Sequence, residues 1–135
     1  MQPKLKRLLG WVFLGGLLTG VLAGLAGFGA GYLSASSPEA ADRIAAFARA
    51  EGMAMHGHTL IWYAQGEKAF SGLDGAAFDR AFDGYIATVA GRYRGQARGW
   101  DVVNEPILDD GSGLRDCHWS ARYGHDGYIL RAFEK

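Results

Sequence analysis

The sequence has a single cysteine, only three prolines and no net charge, with 14 basic and 14 acidic side chains among its 135 residues. One cysteine, Cys117, excludes an internal disulfide. The zero net charge argues against a nucleic-acid partner, and a composition that is 49% hydrophobic excludes a disordered polyelectrolyte. The chain is also too short for a complete eight-stranded α/β barrel, which needs about 250 residues. We therefore expect one small domain or part of a larger one.

Charged residues are missing from Leu8 to Pro38, and residues 8–33 are almost wholly apolar or small. Three cations precede this stretch: Lys4, Lys6 and Arg7. The stretch is long enough to cross a bilayer as a helix, and the preceding cations favour a cytoplasmic N-terminus. Residues 1–36 are therefore predicted to be either a cleavable signal peptide or a transmembrane signal anchor. We expect the rest of the chain to be exported, as a periplasmic or secreted protein, or to be held at the membrane by residues 8–33 if they stay uncleaved.

Residues 37–135 are predicted to alternate helix and strand. A helix begins at Ser37-Pro38-Glu39, where a capping serine and a first-turn proline come together, and it ends at Gly52. The continuous apolar run 53–63 predicts a buried strand, and the periodic aromatic residues of 74–94 predict a helix that Asp74 caps. A second buried strand is expected at 100–104 and a last helix at 124–135. This order is typical of parallel α/β units.

Polar side chains follow the two predicted strands at the edge where parallel α/β folds place their functional groups. The first strand ends near His58, Trp62 and Gln65, and the second ends in Asn104-Glu105. A carboxyl group beside aromatic surface can act as a general acid, and an indole ring offers a flat apolar face to a sugar. By pattern alone, tryptophans in the core and a solvated glutamate explain these residues better than a catalytic site does.

Three strings in this region decide between the two interpretations. They are GHTLIWYAQ at 57–65, RGWDVVNEP at 98–106 and DGSGLRDCHW at 110–119. In this order they closely resemble the family 10 glycoside hydrolases, the endo-1,4-β-xylanases, over about residues 40–133. The resemblance implies that 37–135 is a partial catalytic domain, an α/β fragment of a TIM (β/α)8 barrel with about two βα units, preceded by the N-terminal hydrophobic helix.

The resemblance also implies roles for individual residues. Glu105 matches the acid/base that protonates the glycosidic oxygen, and Asn104 matches the residue that binds the sugar 2-hydroxyl. His58, Trp62 and Gln65 match residues lining the same subsite, with Asp101 as a supporting carboxylate. The implied partner is xylan or a xylo-oligosaccharide, and no metal or cofactor is implied.

The sequence departs from the family at several positions. His56 replaces a usual Arg, Tyr63 replaces a usual His, and 66–69 lacks the Pro and Trp that commonly follow the Gln. Retaining hydrolysis needs two carboxyl groups, and the family's nucleophilic Glu comes from a later strand. We therefore expect a fragment without turnover, poorly soluble or molten as residues 39–135 alone because its sheet edges are unpaired. The alternative is a non-catalytic, membrane-anchored carbohydrate-binding protein or an inactive remnant.

Three further interpretations are disfavoured. A zinc site would need ligands from a set of five residues: His56, His58, Cys117, His118 and His125. It is disfavoured because no paired-ligand spacing joins the first two to the rest. A Cys117-His118 nucleophile is disfavoured because adjacent side chains rarely point at each other. Three arginines around Tyr93 suit the end of a helix better than a nucleic-acid surface: Arg92, Arg94 and Arg98.

Overall fold

The computed structural model describes residues 11–14, 31–33 and 37–135, and it is a partial α/β structure. Its elements are β1 (Trp11–Leu14), β2 (Gly31–Leu33), α1 (Pro38–Ala50), β3 (Ala54–Trp62), α2 (Glu67–Phe70), α3 (Gly75–Arg92), β4 (Ala97–Asn104), α4 (His118–Tyr123) and α5 (His125–Glu134). The strands form a sheet in the order β2-β1-β3-β4, and β1 pairs in parallel with both β2 and β3. The predicted alternation of helix and strand is confirmed.

The apolar N-terminal stretch differs from its prediction wherever the structure describes it. Instead of helix, 11–14 and 31–33 are the strands β1 and β2, and Trp11 to Leu14 pair with Ala54 to Gly57 of β3. The physical reason is that pairing with β3 satisfies the backbone groups of an otherwise open sheet edge. The rest of the stretch, 8–10 and 15–30, lies outside the described residues. No helix within the described ranges has the length and apolar character that crossing a bilayer requires.

The chain divides into two compact units. The first unit comprises residues up to Thr59 together with Tyr93–Asp101, and the second comprises Leu60–Arg92 and Val102–Lys135. Strands β3 and β4 each begin in the first unit and end in the second.

The first unit has a core of small residues on α1. Ser37 caps this helix by accepting a hydrogen bond from the Ala40 amide at 3.2 Å, as the sequence predicts. The buried face of the helix consists of alanines, and two of them, Ala41 and Ala45, pack with Met55 and Tyr93. Small side chains let the helix approach the sheet closely.

A glycine decides how β4 lies against β3 in the first unit. The ring of Trp100 covers Gly57, and a Cβ atom at that glycine would lie 2.1 Å from the Trp100 Cε3. Only glycine fits such a close approach. Strand β4 begins at Ala97 rather than residue 100, and none of its residues is fully buried. The prediction of a buried strand is wrong here, because β4 lies at the edge of the described sheet.

The second unit has an aromatic core built on α3. Asp74 caps this helix by accepting from the Ala77 amide at 2.7 Å, which confirms the predicted cap. Phe78, Phe82 and Ile86 are buried on one stripe, and Phe82 is fully buried. The Trp119 ring packs against both phenylalanines, with centroids 6.0 Å from Phe78 and 5.4 Å from Phe82. Burial of these rings stabilises this unit.

Helix α5 was predicted, but its buried side differs from the prediction. Tyr128 is buried as expected, whereas Leu130 and Phe133 are 63% and 67% exposed and Ala132 is buried instead. The apolar residues 128, 129, 130 and 133 cover more of the helix than one stripe, so the pattern did not define which part faces the core. Helices α2 and α4 were not predicted because they are shorter than the window that shows helical periodicity.

Candidate active site

In the first unit, one carboxylate binds two imidazoles. Asp101 Oδ1 lies 3.0 Å from His56 Nε2, and Asp101 Oδ2 lies 2.8 Å from His58 Nδ1. Thr59 Oγ1 donates to the Asp101 carbonyl at 2.7 Å. Burial acts to raise the pKa of Asp101, but the hydrogen bonds from the two histidines outweigh it, so the pKa is lowered from its ordinary value of 3.8. An ionised Asp101 therefore holds both imidazoles in fixed orientations.

In the second unit, Glu105 follows β4 directly and is solvent-exposed. The Trp62 indole Nε1 donates a hydrogen bond to Glu105 Oε2 at 2.8 Å. Glu105 is the one non-glycine residue of the described ranges with a positive φ, at 50°. This left-handed conformation costs roughly 1–2 kcal/mol, and the following Pro106 adds to the cost because it disfavours helical conformations in the residue before it. Conformations of this kind are retained mainly at functional sites.

The loop after Glu105 is closed by Arg115. Three consecutive carbonyls accept from this one residue: that of Glu105 from Nε at 3.4 Å, that of Pro106 from the backbone amide at 2.7 Å, and that of Ile107 from Nη2 at 3.3 Å. The guanidinium also binds Asp109 at 2.6 Å and lies 4.2 Å from the centre of the Tyr63 ring. Its side chain is only 15% exposed. A partly buried cation with this many partners restricts the backbone on both sides of Pro106.

The turn after β3 fixes the position of Trp62. Its carbonyl accepts from the Gln65 amide at 3.1 Å and from the Trp119 indole at 3.0 Å. Gly66 adopts a φ of 87°, and a Cβ atom there would lie 2.8 Å from the Trp119 ring. Glycine is required at this position for both reasons. The backbone of Trp62 is therefore fixed by hydrogen bonds, in addition to the bond that its indole makes with Glu105.

The structure brings several of the predicted site residues together. Within the second unit, Trp62 contacts Glu105 directly, Gln65 is bound to Trp62 through its backbone, and Asn104 is the half-exposed last residue of β4. His58 belongs to the first unit, where it binds Asp101. The roles predicted for these residues remain predictions.

Sequence reasoning assigned no role to Arg115 and Trp119, although both lie in the string DGSGLRDCHW. The available signal was an arginine that follows the turn-forming residues Asp110 to Gly113, where a side chain can reach back to the open carbonyls of the loop. The backbone amide of Leu108 donates to Gly113 at 2.9 Å, which closes that turn.

The residues considered for zinc have other partners or lie apart. Across 37–135 and the two short N-terminal strands, no three histidine, cysteine or acidic groups are arranged to hold a metal ion. His125 binds Asp116 at 2.8 Å. The His118 ring contacts the Trp119 ring at a tilt of 46°, with ring centres 3.8 Å apart, and burial lowers the pKa of His118 from 6.5. Cys117 caps α4 and contacts Tyr128, where burial and the Cys117 hydrogen bond raise the pKa of the phenol to about 12.

Comparison with known proteins now defines the class of this chain. Residues 35–135 match the family model described as Glycosyl hydrolase family 10, so the chain belongs to that family. The three strings identified in the sequence all lie inside this match.

The relatives are xylanases. Endo-1,4-beta-xylanase B of Paenibacillus barcinonensis is 40% identical over 102 residues, which cover 70% of this chain and 30% of that protein. Endo-1,4-beta-xylanase A of Halalkalibacterium halodurans is 38% identical over 113 residues, which cover 71% of this chain and 28% of that protein. The chain therefore spans about three-tenths of the length of these curated relatives.

Solved structures agree with this classification. The crystal structure of xylanase XynB from Paenibacillus barcinonensis, complexed with a conduramine derivative, superposes with a TM-score of 0.64 at 39% identity. It covers 71% of this chain and 31% of that one. The E246C mutant of P fluorescens subsp. cellulosa xylanase A, in complex with xylopentaose, gives a TM-score of 0.62 at 34% identity. The α/β structure described above thus fits a fragment of the barrel that the resemblance implies.

Proposed function

We propose that this chain carries the acid/base half of an endo-1,4-β-xylanase site, with Glu105 as the proton donor and xylan or a xylo-oligosaccharide as the ligand. The observation that carries the proposal is the Trp62 to Glu105 hydrogen bond of 2.8 Å, made to a glutamate in a left-handed conformation at the end of a strand. A solvated surface glutamate would need neither the strained backbone nor an indole partner.

The proposed chemistry uses the two oxygens of Glu105 differently. Trp62 donates to Oε2, which leaves Oε1 to carry a proton towards the glycosidic oxygen. After the leaving sugar departs, the same carboxylate takes a proton from the incoming water, as the retaining mechanism requires. The indole hydrogen bond restrains the rotation of the carboxyl group, and this favours one orientation of Oε1 for both transfers.

The sugar is proposed to be held by the neighbouring polar groups. Within the second unit, Asn104 has an amide that can bond a 2-hydroxyl, and Gln65 has another amide that can bond hydroxyls. The resemblance assigns a hydroxyl contact to His58 as well. The Trp62 ring offers an apolar face for a sugar ring. Asp101 binds His58 Nδ1 and so holds the orientation of that imidazole.

Turnover also needs a nucleophilic carboxylate about 5–5.5 Å from the acid/base. The resemblance places that residue on a later strand than β4. The sharpest test therefore replaces the matching segment of xylanase B of Paenibacillus barcinonensis with residues 37–135 of this chain, since the two are 40% identical over 102 residues. The chimera should release reducing sugar from xylan, and Glu105→Gln should abolish the release.

The matched control is Glu51→Gln, which makes the same chemical change at an exposed glutamate just after α1. This variant should retain the activity of the chimera. A folded chimera in which Glu105→Gln and Glu51→Gln have equal activity would refute the assignment of Glu105.

The alternative function is carbohydrate binding without hydrolysis, which the Trp62 ring and the amides of Gln65 and Asn104 could support without a nucleophile. Calorimetric titration of the 135-residue chain with xylohexaose separates the two, together with assay of reducing ends. Binding without release of sugar supports the alternative for this chain by itself. Release that Glu105→Gln abolishes supports catalysis.

For localisation, the proposal is that residues 1–36 direct export and that the remainder acts outside the cytoplasm. Its support is the cationic start and the uncharged stretch 8–33. Fusion of a reporter enzyme active only outside the cytoplasm to residue 135 tests the proposal, and deletion of 1–36 should abolish the reporter signal.

A further inference from the structure

The side chain of Arg115 binds backbone carbonyls of Glu105 and of the loop that follows it. We propose that Arg115 is a positioning residue for the proton donor, and that it acts by holding the left-handed backbone of Glu105 while Tyr63 holds Arg115. This inference deepens the proposed function and rests on it for its catalytic meaning. The contacts of Arg115, Tyr63, Trp62 and Glu105 described below all lie within the second unit.

The backbone conformation of Glu105 has to be imposed by its surroundings. A residue that precedes proline favours an extended conformation, yet Glu105 has a φ of 50°. The contacts around it must therefore impose that conformation. Arg115 supplies three of them, since it donates to the carbonyls of 105, 106 and 107 in succession. Two of the donors belong to the guanidinium, and their planar arrangement fixes the directions of the carbonyls of Glu105 and Ile107.

The second step is the fixation of Arg115 itself. Its guanidinium lies 4.2 Å from the centre of the Tyr63 ring, and its side chain is only 15% exposed. Tyr63 follows Trp62 directly, and the two rings meet edge to face with centres 5.8 Å apart. A cation over an aromatic face is stabilised more strongly when it is removed from water.

The third step joins the two ends of Glu105. Trp62 binds its carboxylate and Arg115 binds its carbonyl. The Tyr63 ring contacts both of these partners, the guanidinium of Arg115 and the ring of Trp62. The side chain of the proton donor is therefore held directly by Trp62, and its backbone is held through Arg115 by Tyr63. This arrangement predicts that loss of Arg115 misorients the carboxyl group without removing any sugar contact.

The test uses the Trp62 indole N–H as a reporter, because it detects the Glu105 carboxylate without needing turnover. In nitrogen-15 spectra of the full chain, the indole resonance is assigned by its absence in Trp62→Phe. It should shift with pH as Glu105 takes up a proton, and Glu105→Gln should remove that shift. In Arg115→Gln the titration should be lost, and indole exchange with solvent should rise at least about tenfold, the change expected for one lost hydrogen bond to an ionised group.

Companion variants separate positioning from general stability. Tyr63→Phe retains an aromatic face and should behave as the wild type, whereas Tyr63→Ala should resemble Arg115→Gln. Arg115→Lys keeps the charge but not the planar pair of donors, and it should also lose the titration. These variants carry the test if Arg115→Gln fails to fold.

The matched control is Arg122→Gln. Arg122 also binds a carboxylate and a backbone carbonyl, those of Asp79 and Gly75, and lies 5.5 Å from the centre of the Tyr123 ring. It makes no described contact with 105–107. This variant should leave the Trp62 resonance and its titration unchanged.

In the chimera described above, Arg115→Lys should lower kcat about tenfold to a hundredfold with KM nearly unchanged, because displacement of a reacting group by about 1 Å has effects of this size. The positioning role is refuted if folded Arg115→Gln and Tyr63→Ala retain the wild-type titration and exchange. If these variants alter the indole signal but the folded chimera shows no turnover, the positioning role stands and the proposed function fails.

Discussion

Asp101 in the first unit and Glu105 in the second are both bound by ring nitrogens, but they are bound differently. In the first unit, both oxygens of Asp101 are engaged, one by each histidine. In the second unit, Glu105 receives a hydrogen bond from Trp62 at one oxygen and is exposed to solvent. A carboxylate engaged at both oxygens can orient its partners, whereas one with a free oxygen can exchange a proton with a ligand. The comparison suggests orientation for Asp101 and proton transfer for Glu105.

The cores of the two units also differ, one being built on small residues and the other on large rings. The first unit relies on close approach, with alanines of α1 on the sheet and Trp100 on Gly57. The second relies on large rings, with phenylalanines of α3 gathered around Trp119. Substitutions that add volume should therefore harm the first unit, and substitutions that remove volume should harm the second.

The largest expected effect concerns the two carboxylates. In the chimera, Glu105→Gln should lower kcat/KM by about 10²–10⁴, the usual contribution of a general acid or base. Asp101→Asn should lower it less, by about tenfold, because its partners lose orientation but the proton donor remains. Steady-state assays on a xylo-oligosaccharide measure both values. Equal losses would remove the functional distinction drawn between the two groups.

The next effect concerns the aromatic core. Phe82 is fully buried and Phe133 is 67% exposed, so they form a matched pair in the second unit. Phe82→Ala should reduce the free energy of unfolding by about 3–5 kcal/mol. Phe133→Ala should change it by less than about 0.5 kcal/mol, as for most surface positions. Urea denaturation followed by tryptophan fluorescence measures the difference. A comparable loss at Phe133 would mean that this face of α5 is covered in solution.

A pair of glycines tests the close approach in the first unit. Gly57→Ala would place its Cβ 2.1 Å from a Trp100 ring atom, and it should destabilise the protein by about 1–3 kcal/mol. Gly84 lies inside α3 with nothing within 4 Å of an added Cβ, so Gly84→Ala should stabilise by about 0.5–1 kcal/mol. Thermal and urea unfolding of both variants give the two signs. A neutral Gly57→Ala would show that Trp100 moves away at little cost.

The smallest effect is a dependence on pH. The folded-state pKa of Asp101 lies below its ordinary value of 3.8, so its network stabilises the protein above that pH, and the contribution is lost as pH falls through the lower folded-state pKa. Asp101→Asn should therefore be less stable than the wild type near neutrality, by about 0.5–1 kcal/mol because the side chain is 41% exposed. Urea midpoints should converge in strong acid. A constant gap at every pH would contradict this origin.

Much of the fold was predictable because its signals are local. Ser37 and Asp74 cap α1 and α3 within three residues of the amides that they bind, so the caps are visible in a short stretch of sequence. Strand β3 was predicted from its continuous apolar run. The exposed side of α5 was not predictable, since Leu130 and Phe133 are apolar and lie at helical spacing wherever they face.

The candidate site was predictable in its residues but not in its contacts. Resemblance identified Trp62 and Glu105, yet their hydrogen bond joins positions 43 residues apart. The same is true of the two histidines on Asp101 and of Arg115, whose partners include the ring of Tyr63. Such pairings depend on how strands and loops pack, which no short window of sequence records.

By itself, then, the sequence determined the family, the order of the main helices and strands, and the side chains available for acid/base chemistry, because motifs and periodicity are properties of neighbouring residues. The tertiary structure alone decided that an indole meets Glu105, that Asp101 serves two imidazoles, and that one arginine binds three successive carbonyls. These contacts arise when distant segments bury their apolar surface together, and their polar groups must then find partners within reach.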